Sequence, residues 1–409
     1  MTRRSAVSGE WDWYESAAQR RTVTARSRRK HTRFLKGLKR QERAVTVVES
    51  YSFRGRSVSL NVGEATGALG DTVTVLPVVV ALAALTEASL AHLFVGFAVF
   101  QAVWGLYYGL PLSVEPMKAL AGLAIAGALT YGELMGAGLA AGAVLLVAAR
   151  LNAIDRVAEY VAEPVIRGVQ LSVAALLAVA GVDLAAGAPR VAALGVGVAV
   201  VGTLLHRKAG ALAVLGAGTA VAALAGVPAP TVPTLGLFPV GDPALSLAVG
   251  EGLVGQLAMT VGNAAVATAL LCDELFDADV SPDELAGSMG AMNLLAVPLG
   301  GAPMCHGSGG LAGKHAFGAR TGGANLVLAG LYLLAALVAP LWTGFPMAML
   351  GVLLLAVAAH LARVASTTDD RTLAAGMAVV AVPANVGVAF LAGVVAERLL
   401  ARVRARTTA

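Results

Sequence analysis

Residues 300–323 read GGAPMCHGSGGLAGKHAFGARTGG, between two apolar runs. A stretch this rich in Gly, carrying Pro303, His306, Ser308, Lys314, His315 and Arg320, does not suit a lipid-facing helix. Gly weakens a helix interior, and Pro303 has no N–H to donate. Irregular backbone persists at membrane depth only where protein buries it or where it lines a wet cavity. A broken span is therefore expected. An extended piece ends near Pro303, and a helix starts at about Cys305 to Gly307 with its N-terminus deep in the membrane. The free N–H groups and positive dipole end of such a terminus suit an anion.

Residues 110–123, LPLSVEPMKALAGL, look like a partner stretch. Pro116-Met117 matches Pro303-Met304, 187 residues later, and each pair follows an extended-looking piece and precedes a small-residue helix. Two interrupted segments at matching places in two halves point to the binding site of an inverted-repeat transporter.

Composition agrees with a membrane protein. Of 409 residues, 57% are hydrophobic and 13% charged, far from the balance of a soluble domain. Ala, Val, Leu and Gly dominate, and small residues let membrane helices approach closely. The two cysteines, Cys272 and Cys305, imply no disulfide framework. The net charge of +5 is uneven. Residues 1–56 carry 15 Lys/Arg against 5 Asp/Glu, so the remainder is mildly acidic. The tail has no apolar signal-peptide core and reads as a solvated cytoplasmic extension that helps set topology. Binding to anionic headgroups is a second reading. No nucleic-acid motif is present, and no nucleic-acid partner is expected.

At about 20 apolar residues per crossing, the chain reads as an all-α polytopic membrane protein with fourteen spans, some broken or short. Spans 1–7 fall at about 58–85, 89–108, 111–130, 132–149, 163–182, 190–205 and 209–226. Spans 8–14 fall at about 246–272, 285–300, 302–319, 321–340, 343–362, 371–383 and 384–400. The domain reading is a tail over 1–56, a first repeat over 57–226, a Pro-rich linker over 227–245, a second repeat over 246–400 and a short tail over 401–409. With the basic tail cytoplasmic, spans 4, 6, 10, 12 and 14 end at Arg150 and Arg156, His206-Arg207-Lys208, Lys314 and Arg320, Arg363 and Arg371, and Arg398, Arg402 and Arg404. The loop after span 8 is the misfit, with Asp273, Glu274, Asp277, Asp279, Asp283 and Glu284, but acidic residues contribute little to the rule. Both termini are then cytoplasmic. Seven spans per half make the halves inverted relative to each other.

Polar residues within the spans are the candidate site, because an ionisable group inside a membrane is a functional candidate by default. Asp71 in span 1 reads either as a coupling or gating group or as the cap of a helix break. Glu64 reads as interfacial. In span 3, Lys118 is expected to face an anionic substrate. Glu115 is expected either to carry a coupling proton or to pair with Lys118 across the break. In span 8, Gln256, Thr260 and Asn263 share a helical face that could line a pocket; interhelical hydrogen bonding is the alternative. In span 10, His306 and Ser308 are expected as oxyanion donors. Cys305-His306 has no third partner for a nucleophilic or metal site, so neither an enzyme nor a metal centre is expected. Lys314, His315 and Arg320 read as orientation signals at the cytoplasmic end, with attraction of substrate as the lesser reading. Two helix N-termini at roughly +0.5 each plus Lys118 nearly balance a dianion. No G-x-x-x-x-G-K-[ST] motif supports an ATP-driven pump.

The stretches SVEPMKALAGLAIA (113–126) and PMCHGSGGLAGKHAFGARTGG (303–323) resemble the two signatures of the molybdate transporter family, a branch related to the sulfate permeases. GALGDTVTVLP (67–77) and QLAMTVGNAAVATALLCDELF (256–276) are similar to that family's corresponding segments. The resemblance covers 58–400. It implies seven plus seven inverted spans, with broken spans 3 and 10 meeting end to end at the midplane, a core and a gate domain, elevator-like movement and a homodimer. It implies import of molybdate, with some relatives carrying sulfate. Tungstate as a further substrate, a plasma-membrane location, coupled protons and no cofactor complete the expectation for this chain. It places Pro116, Met117 and Lys118 on one side of the site and Pro303, Cys305, His306, Gly307 and Ser308 on the other. Plant members of that family carry Gln at the place of Glu115. Sulfate permeases continue into a cytosolic regulatory domain, and a chain stopping at Ala409 fits the molybdate branch. A nucleobase:proton symporter of the same fold and an anion channel are the competing readings.

Overall fold

The structure, a computed structural model, describes residues 50–407 apart from 54–55, 206–208 and 235. Most of the basic tail expected over 1–56 and the basic loop His206-Arg207-Lys208 lie outside the described residues.

Ser50–Phe53 (β1) and Arg56–Ser59 (β2) form an antiparallel pair with Ser50 opposite Ser59. The sequence reading started a span at 58. Helix α1, Val62–Leu85, starts later, because the Asn61 side chain accepts the Glu64 N–H at 3.1 Å. An N-cap Asn satisfies a donor that the helix leaves unpaired, which sets the boundary. Helix α2, Leu90–Tyr108, ends at Gly109, whose φ of 62° is the left-handed stop that Gly takes without a Cβ clash. The chain then runs extended into β3, Val114–Pro116, and turns directly into α3, Lys118–Ile125. A Thr130–Glu133 capping box opens α4, Tyr131–Arg150. A short helix that was not expected, α5 (Ile154–Tyr160), precedes α6 (Glu163–Ala186), α7 (Pro189–Leu205) and α8 (Gly210–Leu224).

The described residues of the Pro-rich link hold no helix. Thr231, Phe238 and Ala244 donate their N–H groups to the carbonyls of Leu337, Pro298 and Gly132, so the link is tied to both halves. The second half opens with α9, Leu247–Phe276, in which Thr260–Ala267 is a π-helical stretch. Helix α10, Pro282–Ala296, starts at an N-cap Ser281 and leads through a 3₁₀ turn to Gly300, again left-handed at φ 81°. Strand β4, Met304–His306, passes directly into α11, Ser308–Ala316. Helices α12 (Gly323–Leu337), α13 (Met347–Ala365), α14 (Arg371–Ala381) and α15 (Val386–Thr407) follow. The last helix runs through most of the expected tail 401–409, since Ala401–Arg406 contains no Gly or Pro to stop it.

The fold is helical, and among the described residues six helices are long and apolar enough to cross a membrane: α1, α2, α4, α6, α9 and α13. Helices α7, α8, α12 and α14 are apolar but shorter. Helix α2 packs on α12, α4 on α10, and α6 on α13. Small residues permit these approaches. A Cβ on Gly290 of α10 would lie 2.7 Å from the Leu146 nitrogen of α4, and one on Gly181 of α6 2.9 Å from the Gly351 carbonyl of α13. Between α2 and α12, Tyr332 stacks on Phe94 with ring centroids 5.8 Å apart.

Strands β3 and β4 pair antiparallel, with Val114 opposite His306, Glu115 opposite Cys305 and Pro116 opposite Met304. This corrects the alignment drawn from the two Pro-Met pairs. The helices after the strands start at Lys118 and Ser308, 190 positions apart rather than 187. Pro116 closes its strand whereas Pro303 precedes its own, so the dipeptide marks the right segments three residues out of register.

Candidate functional site

The two strands deliver two helix N-termini to one place. The N-caps Met117 and Gly307 give no side-chain cap to α3 or α11. The first N–H groups of each helix have no partner within the helix, so partners come from elsewhere. For α3 the partner is Gln256, whose Oε1 accepts the Ala119 N–H at 2.9 Å and the Leu120 N–H at 3.4 Å. The Gln256 amide in turn donates to Thr260 Oγ1 at 2.9 Å. Asn263 lies on the π stretch beyond them and its Oδ1 accepts the Ser308 hydroxyl at 2.8 Å, at the start of α11. A π stretch turns the following side chains away from the α-helical face. The three residues expected on one pocket face are thus divided, Gln256 and Thr260 serving one N-terminus and Asn263 the other.

At α11 the neighbour is Glu115. A Cβ added to Gly307 would fall 2.0 Å from Glu115 Oε1, and one added to Gly310 2.2 Å from it. The carboxylate therefore lies on the first turn of α11, in space that any side chain at those positions would fill. Its Oε2 is ion-paired with Lys118. Its Oε1 is buried and has no hydrogen-bond partner among the described residues. Cys305, paired with Glu115 across the ladder, is buried with its thiol 3.8 Å from the Pro116 carbonyl. Pro303 accepts the Met117 N–H at 2.8 Å, extending the contact between the two segments, and the Met117 side chain is fully buried.

A second polar group lies behind the strands. Lys314, expected as an exposed orientation signal, is fully buried. Its ammonium pairs with Asp71 Oδ2 at 3.1 Å and donates to Gln101 Oε1 at 3.1 Å and Asn325 Oδ1 at 2.9 Å. Three acceptors satisfy its three hydrogens. Asp71 caps no break, because α1 runs through it unbroken; it accepts the Ser113 hydroxyl at 2.6–2.7 Å. The Gln101 amide donates to the Val114 carbonyl at 3.1 Å and the Asn325 amide to the Leu112 carbonyl at 2.6 Å, so the network holds the extended run into β3. Gln101, Ser113 and Asn325 were missed. Gln101 and Asn325 are single amides inside apolar runs, and that isolation is the signal that could have found them.

His306 also differs from its expected role as an oxyanion donor. Side chains alternate along a strand, so its ring lies on the opposite face from Cys305. Its Nδ1 meets the Ser113 carbonyl at 3.1 Å, its Nε2 meets Ser288 Oγ at 2.7 Å, and Trp104 and Tyr108 flank the ring. Both nitrogens are engaged by protein, which makes His306 a fastener of β4. Asn293, also missed, clamps the Met304 backbone with two bonds of 2.7 Å. Glu64, expected at the interface, is buried and accepts the N–H groups of Arg320, Thr321 and Ala324 at 2.9–3.1 Å. It supplies the cap for α12 that no residue of that helix supplies.

The family model for the molybdate transporters of the MFS superfamily matches residues 63–177 and 248–361, more than half of the chain and one segment in each half. The chain belongs to the molybdate transporter family. Molybdate transporter 1 of Arabidopsis thaliana is 28% identical to it over 408 residues, 83% of this chain and 87% of that protein. Among solved structures, the transmembrane domain of the cyanobacterial bicarbonate transporter BicA matches with a TM-score of 0.57 at 16% identity, covering 83% of this chain and 95% of that one. The murine solute carrier 26 family member A9, an anion transporter in its inward-facing state, matches with a TM-score of 0.61 at 14% identity, covering 99% and 76%. This member of the molybdate transporter family therefore shares its fold with two anion transporters.

Proposed function

We propose that this chain is a secondary active transporter that imports a tetrahedral oxyanion, molybdate first and tungstate with it. The supporting observation is that the paired strands lead into the N-termini of α3 and α11, and that Glu115 links the two, lying against the first turn of α11 and pairing with Lys118 at the start of α3. Two helix ends of about +0.5 each and one ammonium sum to about +2, the charge that a dianion needs. Pro116, Met117, Lys118, Cys305, Gly307 and Ser308 then surround the anion. Gln256, Thr260 and Asn263 position the two helix ends, and Pro303 and His306 hold the paired strands.

The wider architecture goes with this reading. Numbered as spans, the pair α2–α12 (2 and 11) has its inverted counterpart in α4–α10 (4 and 9), and α1–α11 (1 and 10) in α3–α9 (3 and 8). These exchange-related contacts support fourteen spans in two inverted repeats over 57–226 and 246–400. Core and gate domains, elevator movement, a homodimer in the plasma membrane, cytoplasmic termini and protons carried by Glu115 and Asp71 complete the proposal.

Sulfate shares charge and shape with molybdate and is the nearest rival. The Glu115 carboxylate at the same point also suits a nucleobase:proton symporter, because a carboxylate can accept from a ring N–H; the family match favours the oxyanion. Molybdate uptake into proteoliposomes, challenged with excess sulfate and separately with uracil, tests the reading. Saturable uptake resistant to both competitors is the expected result. Strong competition by sulfate makes the protein a general oxyanion carrier. Non-saturating flux makes it a channel, and uracil uptake without molybdate uptake overturns the substrate.

A further inference from the structure

We infer that the Glu115 carboxylate is a tethered anion that occupies the oxyanion cradle, and that substrate binds by displacing it. The inference rests on the oxyanion reading above and adds the state of the site before substrate enters.

Three observations carry it. The first is position: the carboxylate lies against Gly307 and Gly310, on the uncapped first turn of α11. Both residues lack the Cβ that would exclude it. The second is the unmade bond: Glu115 is 1% exposed, yet its Oε1 has no hydrogen-bond partner among the described residues. A buried carboxylate oxygen left unbonded beside the N–H end of a helix has the location of a ligand without a ligand's full complement of bonds. The third is the cation: Lys118 has its ammonium on Glu115 Oε2. While that pair persists, the charge most useful to a substrate is neutralised.

Charge and space agree. With Glu115 ionised in place, the two helix ends and Lys118 leave a net charge of about +1, one short of a dianion. With the carboxylate withdrawn, the cradle returns to about +2. A single methyl group on Gly307 would overlap the carboxylate, so an oxyanion on that turn cannot share the space with it. Asp71 Oδ1 also lies 2.5 Å from the place of a Gly310 Cβ, but Lys314 and Ser113 engage the Asp71 oxygens, and at Gly307 the nearby carboxylate is that of Glu115 alone.

Glu115→Gln keeps the shape and removes the charge, and Glu115→Ala removes the oxygens altogether. The measurement is the Kd for molybdate by isothermal titration calorimetry on purified protein that elutes as a single folded species. Each variant is expected to bind at least about tenfold more tightly than the natural chain, because the Lys118 ammonium is no longer neutralised by a carboxylate and is free for the dianion. The gain should vanish when Lys118→Ala is added, since the freed ammonium produces it. If Glu115→Gln does not fold, Glu115→Ala decides. Binding by the natural chain with no tightening in the variant overturns the tethered anion and leaves the oxyanion site standing. Binding seen only in the variant supports the inference. No molybdate binding by either overturns both.

Discussion

Single residues set the charge state of this interior. Lys314 is buried with three acceptors around its ammonium, and one of them, Asp71, is charged. Two opposite charges out of water are tolerable only together, and removing one leaves the other unpaired. Lys314→Met is therefore expected to destabilise the fold by about 3 kcal/mol or more, read as a lower midpoint of thermal unfolding in detergent. Adding Asp71→Asn should recover part of that loss, because the stranded charge goes with it; two losses that simply add would reject the pairing. The candidacy of Asp71, Glu115 and Lys118 was legible from the sequence, since a charge inside an apolar run marks itself. Which charge answers which was not. Lys314 stands 243 positions from Asp71, and only the packing of α11 on α1 brings them to 3.1 Å.

At the scale of elements, helix ends are satisfied by side chains from other helices. Gln256 caps α3 from α9, Glu64 caps α12 from α1, and Asn263 reaches Ser308 at the head of α11. A cap borrowed across the bundle fixes both the helix end and the distance between the helices. Gln256→Leu, close in volume but without the amide, should cost about 1 kcal/mol of stability by uncapping α3. It should also weaken molybdate binding, because the α3 end is one wall of the cradle. Unchanged affinity in a folded Gln256→Leu protein would separate the cap from the site. The sequence spacing placed Gln256, Thr260 and Asn263 on one face and overlooked the π stretch that begins at Thr260. Likewise, the shared Pro-Met pairs located the two broken segments, but strand pairing set their register at Glu115 opposite Cys305.

For the whole molecule, the proposed topology makes a simple demand. An odd number of spans in each inverted half leaves both termini on the cytoplasmic side, where positive charge collects. A tag after Ala409 should be reached by antibody only once the cells are permeabilised; labelling in intact cells would reject the fourteen-span assignment. Among the described residues, apolar side chains exposed along α7 and α8, such as Leu194, Val200 and Val221, are ones that such a topology would turn to lipid. Polar groups gather instead at β3, β4 and the helix ends they deliver.

The sequence by itself determined the helical membrane class, the places of the long apolar helices, the two broken segments and the family. Each of these rests on local properties: apolar run length, Gly and Pro at the breaks, and motifs read along the chain. Tertiary structure alone decided that Lys314 is a buried counter-charge, that His306 is a fastener, that Glu64 is a cap and that the Glu115 carboxylate lies on the first turn of α11. These are pairings between residues far apart in the chain. A buried polar group takes its role from whichever partner packing brings within hydrogen-bond distance, and linear order does not encode that partner.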